Sequence, residues 1–154
     1  MSTIGARLSS KALRTRWFVR APIGLYRAGL GIVFGVRLLM LEHIGRSSGA
    51  RRYVVLEVVD HPETDRYVVV SGFGPRAQWY RNIEAEPRVR VSIGLRRSIP
   101  AIATPMSKSE SDAALARYAQ RHPRAWRKLR AAIEHAVGHP VDTLPMVSLR
   151  LGNR

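Results

Sequence analysis

Three short segments of this 154-residue chain carry side chains whose types and spacing suit chemistry. The first is Gly45-Arg46-Ser47-Ser48-Gly49-Ala50-Arg51-Arg52. Its glycines allow tight backbone turns, and its two hydroxyls and three guanidiniums supply hydrogen-bond donors. Arginine meets phosphate oxygens bidentately, at about 1.5–3 kcal/mol for each charged hydrogen bond. The segment therefore suits a phosphate, although an exposed basic hairpin loop has the same composition. The second is Ser71-Gly72-Phe73-Gly74-Pro75. It precedes a helix, whose first N–H groups favour an anion or the edge of an electron-rich heterocycle, and its glycines admit a flat ring. An ordinary strand-to-helix turn is the alternative. The third is Trp79-Tyr80-Arg81-Asn82. Adjacent helical residues point about 100° apart, so one of the two aromatics packs in the core. Asn82 offers its amide to a ligand or to neighbouring backbone.

Other chemistries lack their residues. The five histidines (His43, His61, His122, His135, His139) form no HxH or HExxH pattern. His135 and His139 are four apart, but Gly138 weakens the helix there and no carboxylate is placed as a third ligand. No metal site is expected. With no cysteine, disulfides, iron–sulfur clusters and a thiol nucleophile are excluded. No Walker loop, dinucleotide fingerprint or Gly-x-Ser-x-Gly elbow occurs, and Ser47 and Ser48 have no evident His/Asp partners.

These segments must be held by a scaffold. Residues 7–19 read as a helix, with a short helical turn at Ile23 to Ala28. Strands are expected at Leu38 to Ile44, Tyr53 to Val59, Arg66 to Ser71, Arg88 to Ile93, 96–104 and Met146 to Leu151. His61 to Asp65 reads as a turn. Pro75 suits the first turn of a helix through Trp79, Tyr80 and Ile83, which Pro87 ends. Ser107-Lys108-Ser109-Glu110 fits a capping box for a helix to Arg121, and Pro123 opens another to about Val137. Strands joined by tight hairpins imply an α+β fold with a mainly antiparallel sheet. Five or six such strands close into a small barrel with helices over its ends.

The charge narrows the partners. Lys+Arg number 26 against 11 Asp+Glu, a formal net charge of +15. That predicts attraction to nucleic acid, anionic lipid or a polyanionic small molecule. Basic residues are not interleaved with aromatics on any expected sheet face, which argues against nucleic acid. The first 41 residues hold seven basic residues and no acid. The longest uncharged run among the apolar residues 17–41 is Ala28 to Val36, shorter than the roughly 20 residues a spanning helix needs. A cytoplasmic protein is expected. It divides into a basic N-terminal helix or extension, residues 1–20, and a cofactor-binding domain, residues 21–154. Residues 1–20 either pack on the domain or rest on the inner face of an anionic membrane.

The segment His43 to Arg52 resembles the GR(K/S)(S/T)G-x-x-R signature of the deazaflavin-dependent nitroreductase family, also called the F420H2-dependent quinone reductase family. Tyr67 to Ser71, Gly74 and Trp79 to Ile83 are similar to that family's second motif, and Ala85-Glu86-Pro87-Arg88-Val89 to its third. The chain differs from the signatures at Ser47, at Gly72 and Phe73, and at Val54-Val55. The resemblance implies a split β-barrel and coenzyme F420, an 8-hydroxy-5-deazaflavin with a phosphate and an acidic glutamyl tail, ahead of FMN or FAD. It implies hydride transfer to a quinone-like, nitroaromatic or activated-alkene acceptor. By position, Arg46, Ser47, Ser48 and Arg52 would take the phosphate. Val54 and Val55 would lie beside the ring, Ser71 and Gly72 would face it, and Trp79, Tyr80 and Asn82 would close the site. Tyr80 or Ser71 would give a proton to the reduced acceptor, unless solvent does. A homodimer is compatible with this reading. The competing expectation is a non-catalytic protein whose basic face meets a membrane or nucleic acid, or a related split barrel that binds flavin or haem.

Overall fold

A computed structural model describes residues 37–152. The expected helix at 7–19, the turn at Ile23 to Ala28 and any membrane contact through residues 1–20 lie outside the described residues. Six strands are formed: β1 (Leu38–Ile44), β2 (Arg51–Glu63), β3 (Arg66–Val70), β4 (Arg88–Ile93), β5 (Arg96–Pro105) and β6 (Met146–Leu151). Three helices accompany them: α1 (Gln78–Ala85), α2 (Lys108–Arg121) and α3 (Pro123–Val137). The strands close into an antiparallel barrel in the order β1-β2-β3-β6-β5-β4, with β4 returning to β1.

Period-two alternation sorts the barrel side chains. Leu39 and Leu41 of β1, Leu56 of β2, Val69 of β3, Val89 and Val91 of β4, and Leu149 of β6 belong to one buried cluster inside the barrel. α1 closes one end of it, adding Trp79, Tyr80 and Ile83 to the same cluster. α2 and α3 do not cover an end. They pack on the outer face of β2, β3 and β6, because Val59, Val68, Val70 and Met146 turn apolar side chains outward to Ala114, Leu115, Tyr118 and Ile133. Tyr118 also donates its hydroxyl to Glu57 of β2 at 2.6 Å.

Local chemistry sets the element ends. Ser107 caps α2 reciprocally with Glu110, as its sequence pattern implies. Gly138, at φ 79°, ends α3 in a left-handed conformation that favours glycine. Two elements differ from expectation. β2 continues to Glu63 through the expected turn residues His61 and Pro62, because register shifts after Val58 and Asp60 interrupt the ladder where proline has no N–H to give. Pro75 opens only a 3-10 turn, Gly74–Arg76; Ala77 is extended at ψ 138°, and α1 begins at Gln78.

Leu149 is fully buried, whereas Ile102 on β5 is 49% exposed. Leu149→Ala is therefore expected to cost about 2–5 kcal/mol, and Ile102→Ala under about 0.5 kcal/mol. Urea unfolding of the two variants checks this contrast.

Candidate functional site

The site lies where β1 ends, β2 begins and α1 starts. Strand pairing sets His43 of β1 directly opposite Arg52 of β2. The loop between them is tied by two backbone hydrogen bonds, Gly45 N–H to Ala50 C=O and Gly49 N–H to Gly45 C=O, each 2.8 Å. Gly49 turns the chain at φ 70°. Gly45 leaves room for Ser48: a Cβ there would come within 2.7 Å of Ser48 Oγ and displace that hydroxyl. Ser48 Oγ in turn accepts from Ala50 N–H at 3.1 Å.

Asn82 of α1 holds this loop. Its Oδ1 accepts from the Arg46 backbone N–H at 3.1 Å and from Arg46 Nη1 at 2.8 Å. Its Nδ2 meets His43 Nδ1 at 3.1 Å. One turn earlier on α1, Gln78 Oε1 accepts from Arg46 Nη2 at 2.9 Å. The Arg46 guanidinium is thus aimed by two side chains four residues apart on one helix face.

These residues surround a cleft of about 650 Å3. Arg46, Arg52 and Arg76 line it, and among the described residues no carboxylate does. The Arg52 and Arg76 side chains have no hydrogen-bond or ion-pair partner among the described residues. Val54 and Trp79 give the cleft apolar wall, and exposed Phe73 contributes to its lining. His43 at its floor is buried; that burial, and then the charge of Arg52, lower its pKa to about 4.

Seven of the residues singled out from sequence come together here: Arg46, Ser47, Ser48, Arg52, Val54, Trp79 and Asn82. Four do not line the cleft. Val55 falls on the opposite face of β2 from Val54 by strand alternation. Ser71 is fully buried and donates its hydroxyl to Gly74 C=O at 2.7 Å, bracing its own loop. Gly72 lies against α3, where a Cβ would be 3.2 Å from Ile133 Cγ1. Tyr80 is buried in the barrel cluster, and that burial, with Glu84 nearby, raises its phenol pKa. Phe73, part of the second candidate segment, also lines the cleft, whereas sequence reasoning missed His43, Tyr53, Arg76 and Gln78. Two of these had signals: His43 continues the inward row Leu39, Leu41, and Gln78 precedes Asn82 by one helical turn. Among the described residues, no cluster of His, Asp or Glu could hold a metal, and no helix is long and apolar enough to cross a membrane.

The fold and the site together define a split-barrel protein with a cationic cleft at the barrel mouth. The chain belongs to the F420H(2)-dependent quinone reductase family, whose model matches residues 6–140. A comparison with curated proteins finds no match. Solved structures share the fold at low identity. A chain described as a domain-swapped dimer has 19% identity and a TM-score of 0.56, covering 97% of this chain and 100% of its own. An F420-H2 dependent reductase, FDR-A, has 23% identity and a TM-score of 0.51, covering 74% of this chain and 94% of its own. The haem storage protein HutZ from Vibrio cholerae has 13% identity and a TM-score of 0.54, covering 80% of this chain and 87% of its own.

The lowered His43 pKa has a consequence for stability. An unfolded histidine binds a proton near pH 6.5, whereas His43 in the fold resists protonation down to about pH 4. Between those values the unfolded state holds more protons, so acid favours unfolding. Stability is expected to fall as pH drops from about 6.5 towards 4, with His43 contributing up to about 1.4 kcal/mol per pH unit. Urea midpoints across that range should slope less in His43→Asn than in the parent protein.

Proposed function

We propose that this protein is an F420H2-dependent reductase whose cleft takes the phosphate and carboxylate tail of the deazaflavin coenzyme. The observation that carries this reading is the cleft itself: among the described residues it brings together three guanidiniums, two of them without partners, and no carboxylate. Bringing three cations together opposes folding unless an anion neutralises them. Family membership then names the anionic ligand. The residues present fit such a group in volume and in donor chemistry.

In this reading Arg52, Arg76 and the hydroxyl of Ser47 hold anionic oxygens, and Arg46 adds the N–H groups that Asn82 and Gln78 leave free. Val54 and Trp79 offer the apolar surface that a flat ring needs. When bound, the reduced coenzyme supplies a hydride. The chain contributes binding and orientation, and a quinone is the acceptor that the family description favours. Nitroaromatics and activated alkenes have related electron-poor character and belong in the same screen. Since Tyr80 and Ser71 stand away from the cleft, solvent is the proton source in this proposal.

Fluorescence titration with coenzyme F420, with FMN and haem alongside, tests the proposal. Saturable binding of F420 in preference to the other two is expected, followed by quinone-dependent oxidation of the reduced coenzyme. Arg52→Ala is expected to weaken F420 binding by about 1.5–3 kcal/mol. Unchanged affinity in that variant would remove Arg52 from the site. A Soret band, with no response to F420, would favour haem binding instead.

A further inference from the structure

One polar group in the cleft is not used by the phosphate argument. His43 is only 4% exposed, yet it lines the cleft. Asn82 fixes the state of its ring. Asn82 Oδ1 accepts from two Arg46 donors. Exchanging the amide oxygen and nitrogen would set an NH2 group against both donors, so the amide has one orientation. Its Nδ2 then donates to His43 Nδ1. A neutral imidazole carries one proton, and Nδ1 is the acceptor, so the proton sits on Nε2. Burial beside Arg52 keeps the ring neutral at physiological pH. Asn82 is the ring's one hydrogen-bond partner among the described residues, and no buried side-chain nitrogen is left without a partner there. Nε2–H therefore reaches the open cleft.

We propose that His43 is a specificity-determining residue, a neutral Nε2–H donor that makes the cleft prefer a fully deprotonated oxyanion such as a phosphodiester or carboxylate. This rests on the reading of the cleft as an anion site. Two acceptors at the floor are filled within the protein: Asn82 Oδ1 by two Arg46 donors, and His43 Nδ1 by Asn82. What these side chains leave for a ligand is donors. The arginines attract any anion, whereas a fixed N–H at the floor reads the direction of a lone pair. A hydroxyl can accept here through a lone pair, but an anionic oxygen gains the stronger, charge-assisted bond. Asn82 acts here as a positioning residue, through the ring it orients.

Two variants separate the two ring nitrogens. His43→Asn keeps an acceptor near the Nδ1 position and removes the Nε2 donor. His43→Gln carries an amide N–H to the Nε2 position. In a fluorescence titration with coenzyme F420, His43→Asn is expected to bind about tenfold more weakly, and His43→Gln to recover most of that loss. Wild-type affinity in His43→Asn would overturn the proposal. Nitrogen-15 shifts of the His43 ring in the parent protein give a second readout that needs no coenzyme. They are expected to report the Nε2–H tautomer at pH 7, with the Nε2 shift moving when inorganic phosphate saturates the cleft. An Nδ1–H tautomer, or an Nε2 shift unmoved by phosphate, would overturn it. If the parent protein takes no F420, the reductase reading fails and the phosphate titration alone decides the role of His43. The same titration decides if either variant fails to fold.

Discussion

The site depends on one amide. Asn82 leaves α1 and spends both ends of its side chain on the β1–β2 loop, accepting twice from Arg46 and donating to His43. Each bond is modest, of the order of 1 kcal/mol net, but leaving the buried partners unmade would cost more. The amide therefore couples three events. Trp79 and Ile83 anchor α1 in the barrel end, the loop takes one conformation over α1, and the Arg46 guanidinium takes one direction. A cation on a long, flexible side chain becomes part of a fixed surface.

The distribution of charge supports this division of labour. Away from the cleft, several arginines are matched to carboxylates: Arg88 to Glu86, Arg90 to Glu42, Arg117 and Arg121 to Asp60, Arg130 to Glu134, and Arg150 to Glu63 and Asp65. Such exposed pairs add little stability, typically 0–1 kcal/mol each by general measure, roughly. Their arrangement nevertheless keeps these carboxylates out of the cleft, whose lining has none. At the cleft three guanidiniums lie together with no carboxylate among the described lining residues, which favours an anionic ligand there.

The sequence made the scaffold legible where one physical signal dominated. The alternation in Arg88 to Ile93 and the capping box at Ser107 led to β4 and α2 because side-chain period and cap chemistry are local. The glycine-rich basic loop was legible for the same reason. Less legible were features set by contacts between distant segments. Ser71 and Gly72 look like ligand groups in a Gly-rich turn, but the turn is braced internally and pressed on α3. Tyr80 and Val55 sit beside true cleft residues in sequence and are turned away by helix and strand periodicity. His43 resembles an ordinary strand histidine until Asn82, 39 residues later, is seen beside it. No local pattern announces a tautomer fixed by a partner on another element.

In the proposed complex the anion of the coenzyme sits among Arg46, Arg52 and Arg76. A crystal structure of the protein grown with coenzyme F420 tests it most directly. Phosphate density is expected within hydrogen-bond distance of Arg52 Nη atoms, with the Asn82 contacts to Arg46 and His43 intact. Phosphate bound on another face of the barrel, with this cleft holding only water, would contradict it.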